Sequence, residues 1–325
     1  MSGHVIALCG GVGGAKLAFG LTQILSPDEL SIIVNTGDDF EHLGLHVSPD
    51  IDTVAYTLSG LSDRERGWGL AGETWNFMAA LKRLGGEAWF NLGDHDLAMH
   101  IERTRRLAAG EGLSHITTAL TAALGIRHPV IPMSDQPMRT IVQTADGEFG
   151  FQSYFVGEQC RPVATGVRFE GVETARPSPG FQAALARLDV AAVILCPSNP
   201  YLSIDPILAV PGVRQALADL TAPIVAVSPI LGGKALKGPA AKLMAELGVT
   251  PGVQAVARHY GGLLDGLVID TADSQEAAAL RALSLEPLVT ASVMHDDADR
   301  IRLARETLAF AAQLALPAQV QMAVP

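Results

Sequence analysis

The amino-acid sequence predicts an α/β protein with a doubly wound, mostly parallel Rossmann-like sheet and an antiparallel β-hairpin insertion. Short β-branched runs alternate with amphipathic helical patterns along most of the 325 residues, which is typical of a parallel sheet with helices on both faces. A glycine cluster follows the first run, and several later runs also end in polar loops. Only residues 139–175 break the alternation. We expect a single α/β domain over residues 1–325.

The strands and helices of this sheet follow from the pattern. Eight strands are expected, at residues 5–8, 31–34, 89–92, 130–132, 190–195, 224–227, 266–269 and 288–291. Amphipathic helices are expected between or after them, at residues 15–25, 74–84, 97–108, 114–124, 180–187, 240–247, 275–283 and 298–314. Ligands of open α/β sheets bind at the carboxyl ends of the strands, so the loops that follow the strands are the candidate sites.

The stretch 139–175 is interpreted as β-hairpins inserted into the α/β domain. Residues 140–143 alternate in polarity, and Asp146-Gly147 is typical of a tight turn. Four aromatic residues follow, at Phe149, Phe151, Tyr154 and Phe155. The insertion is expected to cover the crevice of the sheet and offer these rings to a flat ligand. The alternative is that the rings form a small hairpin core or a dimer contact.

Composition limits the classes of function. The chain is 48% hydrophobic and 18% charged, as in a compact globular protein. Its net charge of −11 argues against a nucleic-acid or anionic-membrane surface, because such surfaces need clustered Lys and Arg. The three cysteines have no CxxC spacing, which argues against a zinc site or a disulfide framework. With no signal-peptide or membrane-span pattern recognised, we expect a cytoplasmic protein.

The glycine cluster after the first strand predicts a phosphate site. It comprises Gly11, Val12, Gly13 and Gly14, followed by Lys16. Glycines allow the backbone to bend and bring N–H groups against an anion at the positive end of the next helix. The pattern is neither the dinucleotide fingerprint nor a Walker loop. The alternative is a tight turn that only lets the helix pack on the strand.

Acidic residues follow the second strand. Asn35, Thr36, Asp38 and Asp39 leave its end, and Asp50 follows shortly before a helix expected near Thr53. Hard oxygen ligands at the carboxyl edge of a sheet suit a Mg²⁺ ion that bridges phosphate oxygens. We therefore expect Asp38, Asp39 and Asp50 to be catalytic and to ligate Mg²⁺, with Asn35, Thr36 and Asp50 in contact with substrate. The alternatives are a solvated acidic loop and, for Asp50, a helix cap.

Three further loops carry polar groups. We expect Asp94, His95 and Asp96, which follow the run 89–92, to contact substrate, in a place suited to ligating a metal, orienting a hydroxyl or accepting a proton. The alternative is that they cap the next helix. Ser198 and Asn199 leave the strand 190–195 between two prolines and offer hydrogen-bond groups to a phosphate or a base. After the strand 224–227, a second anion site or a flexible surface loop is expected from Gly232, Gly233, Lys234, Lys237 and Gly238. No Ser-His-Asp arrangement or covalent nucleophile is recognised, which favours direct phosphoryl-type transfer.

Five ordered segments resemble one known family. They are GGVGGAKLAFGL at 10–21, VNTGDDFEHLGLHVSPDIDTVAYTLSG at 34–60, WFNLGDHDLAMHIERT at 89–104, CPSNPYLSIDPIL at 196–208 and SPILGGKALKGPA at 228–240. Together they are similar to the 2-phospho-L-lactate transferase family of coenzyme F420 biosynthesis, over nearly the whole chain. Relatives often have Arg where this chain has His95 and Gly where it has Cys196. A neutral imidazole does not replace the charge and forked hydrogen bonding of a guanidinium.

The resemblance implies a reaction and its partners. A guanosine diphosphate ester of phospholactate, or of the enolpyruvyl or glyceryl analogue, would donate its phospho-acid unit to the deazaflavin Fo with Mg²⁺ as cofactor and GMP as leaving group. Gly11 to Gly14 would meet the donor phosphates, while Asp38, Asp39 and Asp50 would serve the metal and Fo. Ser198, Asn199 and residues 234–238 would hold the guanosine phosphates. A homodimer is expected.

Two other functions remain open at the level of sequence. A related group of nucleotide-sugar-binding regulators shares the opening glycine loop and binds without turnover; the carboxylate-rich loops favour the transferase. A pyridine-nucleotide oxidoreductase is disfavoured because the dinucleotide fingerprint is incomplete.

Overall fold

The computed structural model describes residues 3–235 and 238–316. Its strands are β1 (His4–Cys9), β2 (Leu30–Val34), β3 (Phe40–His42), β4 (Leu45–Val47), β5 (Val130–Pro132), β6 (Arg139–Thr144), β7 (Gly147–Gly150), β8 (Ala164–Glu170), β9 (Val190–Leu195), β10 (Ile224–Val227), β11 (Ile230–Leu231), β12 (Lys234–Ala235), β13 (Gly266–Asp270) and β14 (Glu286–Thr290). Its α-helices are α1 (Gly11–Thr22), α2 (Pro49–Leu58), α3 (Asn76–Arg83), α4 (Asp96–Ala108), α5 (Leu113–Ala123), α6 (Pro179–Leu185), α7 (Asp205–Ala209), α8 (Val213–Ala218), α9 (Ala240–Glu246), α10 (Val253–Tyr260), α11 (Ala277–Ala282) and α12 (Asp297–Leu314).

A seven-stranded sheet forms the centre of the fold, in the order β14-β13-β10-β9-β1-β2-β5. Every pairing in this sheet is parallel. From β1 the chain builds outward through β2 and β5, and it later returns to the other side of β1 with β9. The direction of winding therefore reverses between β1 and β9, which is where open α/β sheets form their ligand crevice. The predicted fold class is confirmed.

Helices cover both faces of the sheet because successive strand residues point to opposite sides. Ile6 and Leu8 of β1 pack with α6 to α10, whereas Val5 and Ala7 pack with α1, α2 and α12. Each face thus has its own apolar core, and the strand ends remain free to carry polar loops. None of the described helices is long and apolar enough to cross a membrane.

The insertion is a three-stranded antiparallel sheet, in the order β7-β6-β8. β6 and β7 meet at a tight turn, with Thr144 paired to Gly147. Phe151 and Tyr154 are buried against Leu202 and Leu243, and Phe155 stacks on Phe151 at 5.5 Å. Phe151 and Tyr154 therefore belong to a small core beneath the insertion, as in the alternative to a ligand-facing surface, whereas Phe155 is exposed.

Two expectations about local structure are wrong. Residues 89–92 form no strand, because Phe90 and Leu92 pack instead with Val47 and Met78 in a small cluster beside the sheet. A short apolar run does not by itself distinguish a strand from a buried loop. The helix expected near Thr53 begins at Pro49, so Asp50 lies in its first turn. The β3–β4 hairpin was not predicted.

Candidate functional site

The glycine loop is clamped to the loop after β9. The Ser198 hydroxyl accepts from the backbone N–H of Gly10 at 3.1 Å and donates to the Gly10 carbonyl at 2.9 Å. A Cβ on Gly13 would overlap the Pro197 carbonyl, and a Cβ on Gly14 would lie 2.6 Å from the Ser198 hydroxyl oxygen. These two glycines therefore let α1 pack closely on the neighbouring loop.

The start of α1 has open space beside Gly11. Gly11 adopts φ +65°, and an added Cβ there would have open space around it. Gly10, the N-cap residue, provides no side-chain cap. Since the first N–H groups of a helix lack intrahelical partners and its N-terminus is positively polarised, this turn is suited to an anion.

Three buried carboxylates surround that helix start. Asp50 accepts from the Gly11 N–H at 2.7 Å and from the Asn35 amide at 2.9 Å. Asp39 accepts from the Ser48 hydroxyl at 2.8 Å and from His46 Nε2 at 3.1 Å, both through Oδ2. Asp38 is buried as well, and this burial together with the charges of Asp50 and Asp39 raises its pKa. The predicted acidic group therefore assembles at the switch point of the sheet.

Several buried polar atoms here have no hydrogen-bond partner among the described residues. They are Thr36 Oγ1, Asp38 Oδ1, Asp39 Oδ1, Thr140 Oγ1 and Asn199 Nδ2. Buried polar groups are almost always paired, so each such exception requires an explanation. Their concentration on the loops after β2 and β9 and at the start of the insertion indicates a binding site that a polar ligand would complete.

Burial changes the ionisation of two of the acids. Burial raises the pKa of Asp38 well above its usual value, and the neighbouring Asp50 and Asp39 carboxylates raise it further. Burial also raises the pKa of Asp50 to about 6, although the hydrogen bonds from Asn35 and Gly11 oppose the rise. Carboxylates crowded in this way repel one another, and a cation between them would relieve the repulsion.

The donor set fits a hard divalent cation. Asp38 Oδ1 and Asp39 Oδ1 are unpartnered carboxylate oxygens among the described residues, and Mg²⁺ prefers such oxygens. Asp50 is less free, because both of its oxygens already accept hydrogen bonds. The residues present therefore fit the metal expected from the sequence.

The Lys16 side chain, which was expected at the phosphate site, binds a backbone carbonyl. Its Nζ donates to the Met294 carbonyl at 2.8 Å, on the connection between β14 and α12. Two side-chain oxygens of the loop after β9 also bind the backbone. The Ser198 hydroxyl binds Gly10, and Asn199 Oδ1 caps the helical turn Pro200–Ile204. Of the predicted polar groups on this loop, the Asn199 amide nitrogen is the one without a partner among the described residues.

The loop that carries Asp94, His95 and Asp96 is built differently from the expectation. Asp94 accepts from the backbone N–H groups of Asn76 and Phe77, both at 3.0 Å, and so caps the preceding helix α3. Hydrogen bonds, first of all from Thr74, hold the pKa of Asp94 below its usual value. Glu73 in turn accepts from the N–H groups of His95 and Asp96 at the start of α4. Asp94 and Glu73 thus cap each other's helices, and His95 is exposed.

Asp96 belongs to a buried polar cluster behind the site. It accepts from the Tyr56 hydroxyl, and its Oδ2 lies 3.3 Å from His100 Nε2. Asp52, Asp96 and His100 bring possible metal-ligand atoms within 4.8 Å of one another. However, the buried Arg103 guanidinium pairs with Asp52, so the protein supplies its own cation to this cluster.

The loop after β10 is a hairpin formed by β11 and β12. Gly232 and Gly233, both with positive φ, form the turn between β11 and β12, and the Gly232 N–H is bound by Asp273 at 3.0 Å. Lys234 is exposed, Gly238 has positive φ and open space around it, and Lys237 lies outside the described residues. The glycines are explained by the turn, and an anion would meet the exposed lysine rather than the Gly232 amide.

Sequence reasoning missed three residues of the site. Thr140 comes from the start of the insertion, where its N–H binds the Gly37 carbonyl at 2.7 Å. His46 and Ser48 bind Asp39 from the β3–β4 hairpin and the start of α2. Their spacing of two residues, which places side chains on one face of an extended segment, was the available signal. Thr140 had none.

Comparison with known proteins identifies the family. A family model described as 2-phospho-L-lactate transferase matches residues 5–309. The chain belongs to the 2-phospho-L-lactate transferase family. It is 42% identical over 318 residues to a phosphoenolpyruvate transferase of Kitasatospora aureofaciens, covering 96% of this chain and 98% of that protein. It is 38% identical over 279 residues to a 2-phospho-L-lactate transferase of Methanosarcina mazei, covering 86% and 91%.

A solved structure has the same fold. A UPF0052 family protein from Bacillus halodurans superposes with a TM-score of 0.62 at 17% identity, covering 95% of this chain and 99% of that one. At this identity the likeness concerns the fold alone. The family match therefore carries the functional argument, and the structural match supports the arrangement of the sheet.

Proposed function

We propose that this transferase moves a three-carbon phospho-acid unit from a guanosine diphosphate ester to the deazaflavin Fo, with release of GMP, to form coenzyme F420-0 or its dehydro form. The observation that carries the proposal is a set of buried polar atoms at the switch point, next to the start of α1, that have no partner in the part of the chain that the structure describes. A diphosphate ester offers anionic oxygens to this helix start, where the Asp50 carboxylate binds the Gly11 N–H alone, and its transfer needs neither a covalent nucleophile nor a redox cofactor.

Several groups of the site bind the donor diphosphate. The first turn of α1 faces the donor diphosphate, and the Asn199 amide and Thr36 hydroxyl add hydrogen bonds to it. A bond forms between the acceptor hydroxyl oxygen and the phosphorus that carries the acid. The bond from that phosphorus to GMP breaks, and the hydroxyl proton is released. Holding the two substrates in line supplies much of the acceleration.

Asp38 and Asp39 would hold the Mg²⁺ ion, with Asp50 close by. When bound, the ion neutralises charge on the phosphate oxygens. Asp50 has a further task in the protein itself, because it holds Gly11 and Asn35 in place. Its carboxylate therefore sets the position of the helix start relative to the acidic loop.

The most detailed part of the proposal is the identity of the acid that the donor carries. Relatives named phosphoenolpyruvate transferase and 2-phospho-L-lactate transferase are similar to this chain at 42% and 38% identity. The candidate acids differ by a methyl, methylene or hydroxymethyl group, and discrimination on that scale is worth about 1–3 kcal/mol. We propose a lactyl, enolpyruvyl or glyceryl donor.

A competition assay tests this function. The protein is incubated with Fo, Mg²⁺ and equal amounts of the three guanylylated acids, and the products are identified by mass. We expect GMP release matched by one dominant Fo adduct, with about 5- to 150-fold preference over the others, as 1–3 kcal/mol implies. Tight donor binding with no adduct from any of the three would contradict transfer and favour the regulatory alternative.

A further inference from the structure

The Asp39 side chain is held from one side only. Its Oδ2 accepts two hydrogen bonds, from the Ser48 hydroxyl at 2.8 Å and from His46 Nε2 at 3.1 Å. Its Oδ1 is buried and has no partner among the described residues. Because a carboxylate only accepts hydrogen bonds, both neighbours must donate to it. We propose that His46 and Ser48 are positioning residues, which fix Asp39 so that Oδ1 stays available to the metal.

Ser48 shows that this arrangement has a cost. It is the N-cap residue of α2, and its side chain is fully buried. A serine at this position usually accepts a hydrogen bond from the first turn of its helix and stabilises it. Here Ser48 makes no such cap and donates to Asp39 instead. Because the Ser48 hydroxyl binds Asp39 and does not cap its own helix, we attribute its orientation to the site and not to the stability of α2.

His46 is fixed through its backbone. Its N–H donates to Thr104 Oγ1 at 2.8 Å, and its carbonyl accepts from Arg103 at 3.4 Å, both on α4. Arg103 is 1% exposed and pairs with Asp52 of α2. α2 also carries Asp50, which holds the glycine loop. One buried arginine therefore joins the support of Asp39 to the helix that positions Asp50.

The consequence is a specific effect on metal binding. Without one of its two donors, Asp39 can rotate and use Oδ1 to replace the lost hydrogen bond. Neighbours that orient a metal ligand typically contribute 10- to 100-fold to affinity. The inference rests on the proposed function in one respect, which is that Asp39 ligates the metal.

The test is a Mn²⁺ titration, followed by electron paramagnetic resonance, of the full chain without substrate. We expect His46→Leu and Ser48→Ala each to weaken binding by about tenfold or more. His46→Gln, whose amide can still donate, should restore most of the affinity. His128→Leu is the matched control. The His128 ring also binds through Nε2, to the Leu25 carbonyl, but His128 precedes β5 and so lies at the amino ends of the strands, whereas the site lies at their carboxyl ends.

One further variant, Asp39→Asn, and a crystal structure separate the outcomes. If Asp39→Asn loses Mn²⁺ binding while His46→Leu and Ser48→Ala bind like the wild type, the positioning role is overturned and the proposed metal site stands. If Asp39→Asn binds like the wild type, or the wild type binds no Mn²⁺, the metal assignment itself is overturned. A crystal structure of Ser48→Ala should show a displaced Asp39 carboxylate; an unmoved carboxylate would also overturn the inference.

Discussion

At the scale of single residues, the site keeps polar atoms in a state that costs stability. Asp38 Oδ1, Asp39 Oδ1 and Asn199 Nδ2 are buried without partners among the described residues. An unsatisfied buried group of this kind costs about 1–3 kcal/mol. Such groups persist when a ligand supplies the missing contacts. Replacing them should therefore raise the stability of the ligand-free protein and lower its activity.

Replacing Asp38 should therefore stabilise the protein in the absence of metal. The pKa of Asp38 in the folded protein lies well above its value in the unfolded chain. The ionised group thus costs folding free energy in full at pH values above the raised pKa, and the cost shrinks as the pH falls from there toward the pKa of the unfolded chain. We expect Asp38→Asn to raise the free energy of unfolding by about 1–3 kcal/mol at alkaline pH.

Urea unfolding in excess chelator, from pH 5 to pH 9, checks this expectation. The gain should be largest at the alkaline end and shrink toward pH 5. A gain that is independent of pH, or a loss of stability at pH 9, would contradict the account of Asp38 as a buried, repelled carboxylate.

The residue types of the site were largely predictable, but their contacts were not. Asp38, Asp39 and Asp50 were recognised because acids directly after a strand reach the active edge of a sheet. Lys16 illustrates the limit, because its contact with the Met294 carbonyl joins residues 278 positions apart. Sequence places a side chain near an edge, whereas the rotamer and the long-range partner depend on packing.

At the scale of elements, the packing of α1 explains part of the glycine loop. Helix-interior Gly→Ala changes usually stabilise by up to about 1 kcal/mol. We expect the opposite sign for Gly13→Ala, a loss of about 1–3 kcal/mol, because its Cβ would overlap the Pro197 carbonyl. The control is Gly150→Ala in β7, where a Cβ would meet nothing within 4 Å. Thermal unfolding compares the two, and a stabilising Gly13→Ala would show that close packing does not require this glycine.

The reciprocal caps of α3 and α4 give a second prediction. Asp94→Ala removes the acceptor for the first N–H groups of α3, and Glu73→Ala removes the acceptor for those of α4. Hydrogen exchange should therefore accelerate in residues 76–83 for Asp94→Ala and in residues 96–108 for Glu73→Ala. Faster exchange of the same helix in both variants, or of neither, would show that the caps are not separate.

Elements with a strong pattern were predicted, and those set by tertiary packing were not. Seven of the eight predicted strands belong to the central sheet, because buried parallel strands form clear apolar runs. The run 89–92 is also short and mostly apolar, yet Leu92 packs on the β3–β4 hairpin and α3. Periodicity over four residues carries too little information to separate these outcomes.

At the scale of the whole molecule, the order of the strands brings distant segments together. Cys9 of β1 is in register with Val34 of β2, and Leu8 is in register with Leu195 of β9. The three loops that follow therefore start side by side at the switch point. The alternating pattern predicted a doubly wound sheet, and with it a crevice of this kind. The place of the insertion was not predictable, because Thr140 reaches the site through one long-range backbone bond to Gly37. The homodimer stays a prediction.

The dependence of the transfer on a metal ion is measured by removing the metal and restoring it. The wild-type protein is incubated with Fo and the guanylylated acids, and GMP and the Fo adduct are quantified with Mg²⁺, with excess chelator, and after Mg²⁺ is restored. We expect equal amounts of GMP and adduct with Mg²⁺, neither product in chelator, and recovery when the metal returns. The reason is that Asp38 and Asp39 each have a buried oxygen that no other described residue binds and that a cation would bind. Full formation of the adduct in excess chelator would contradict the account.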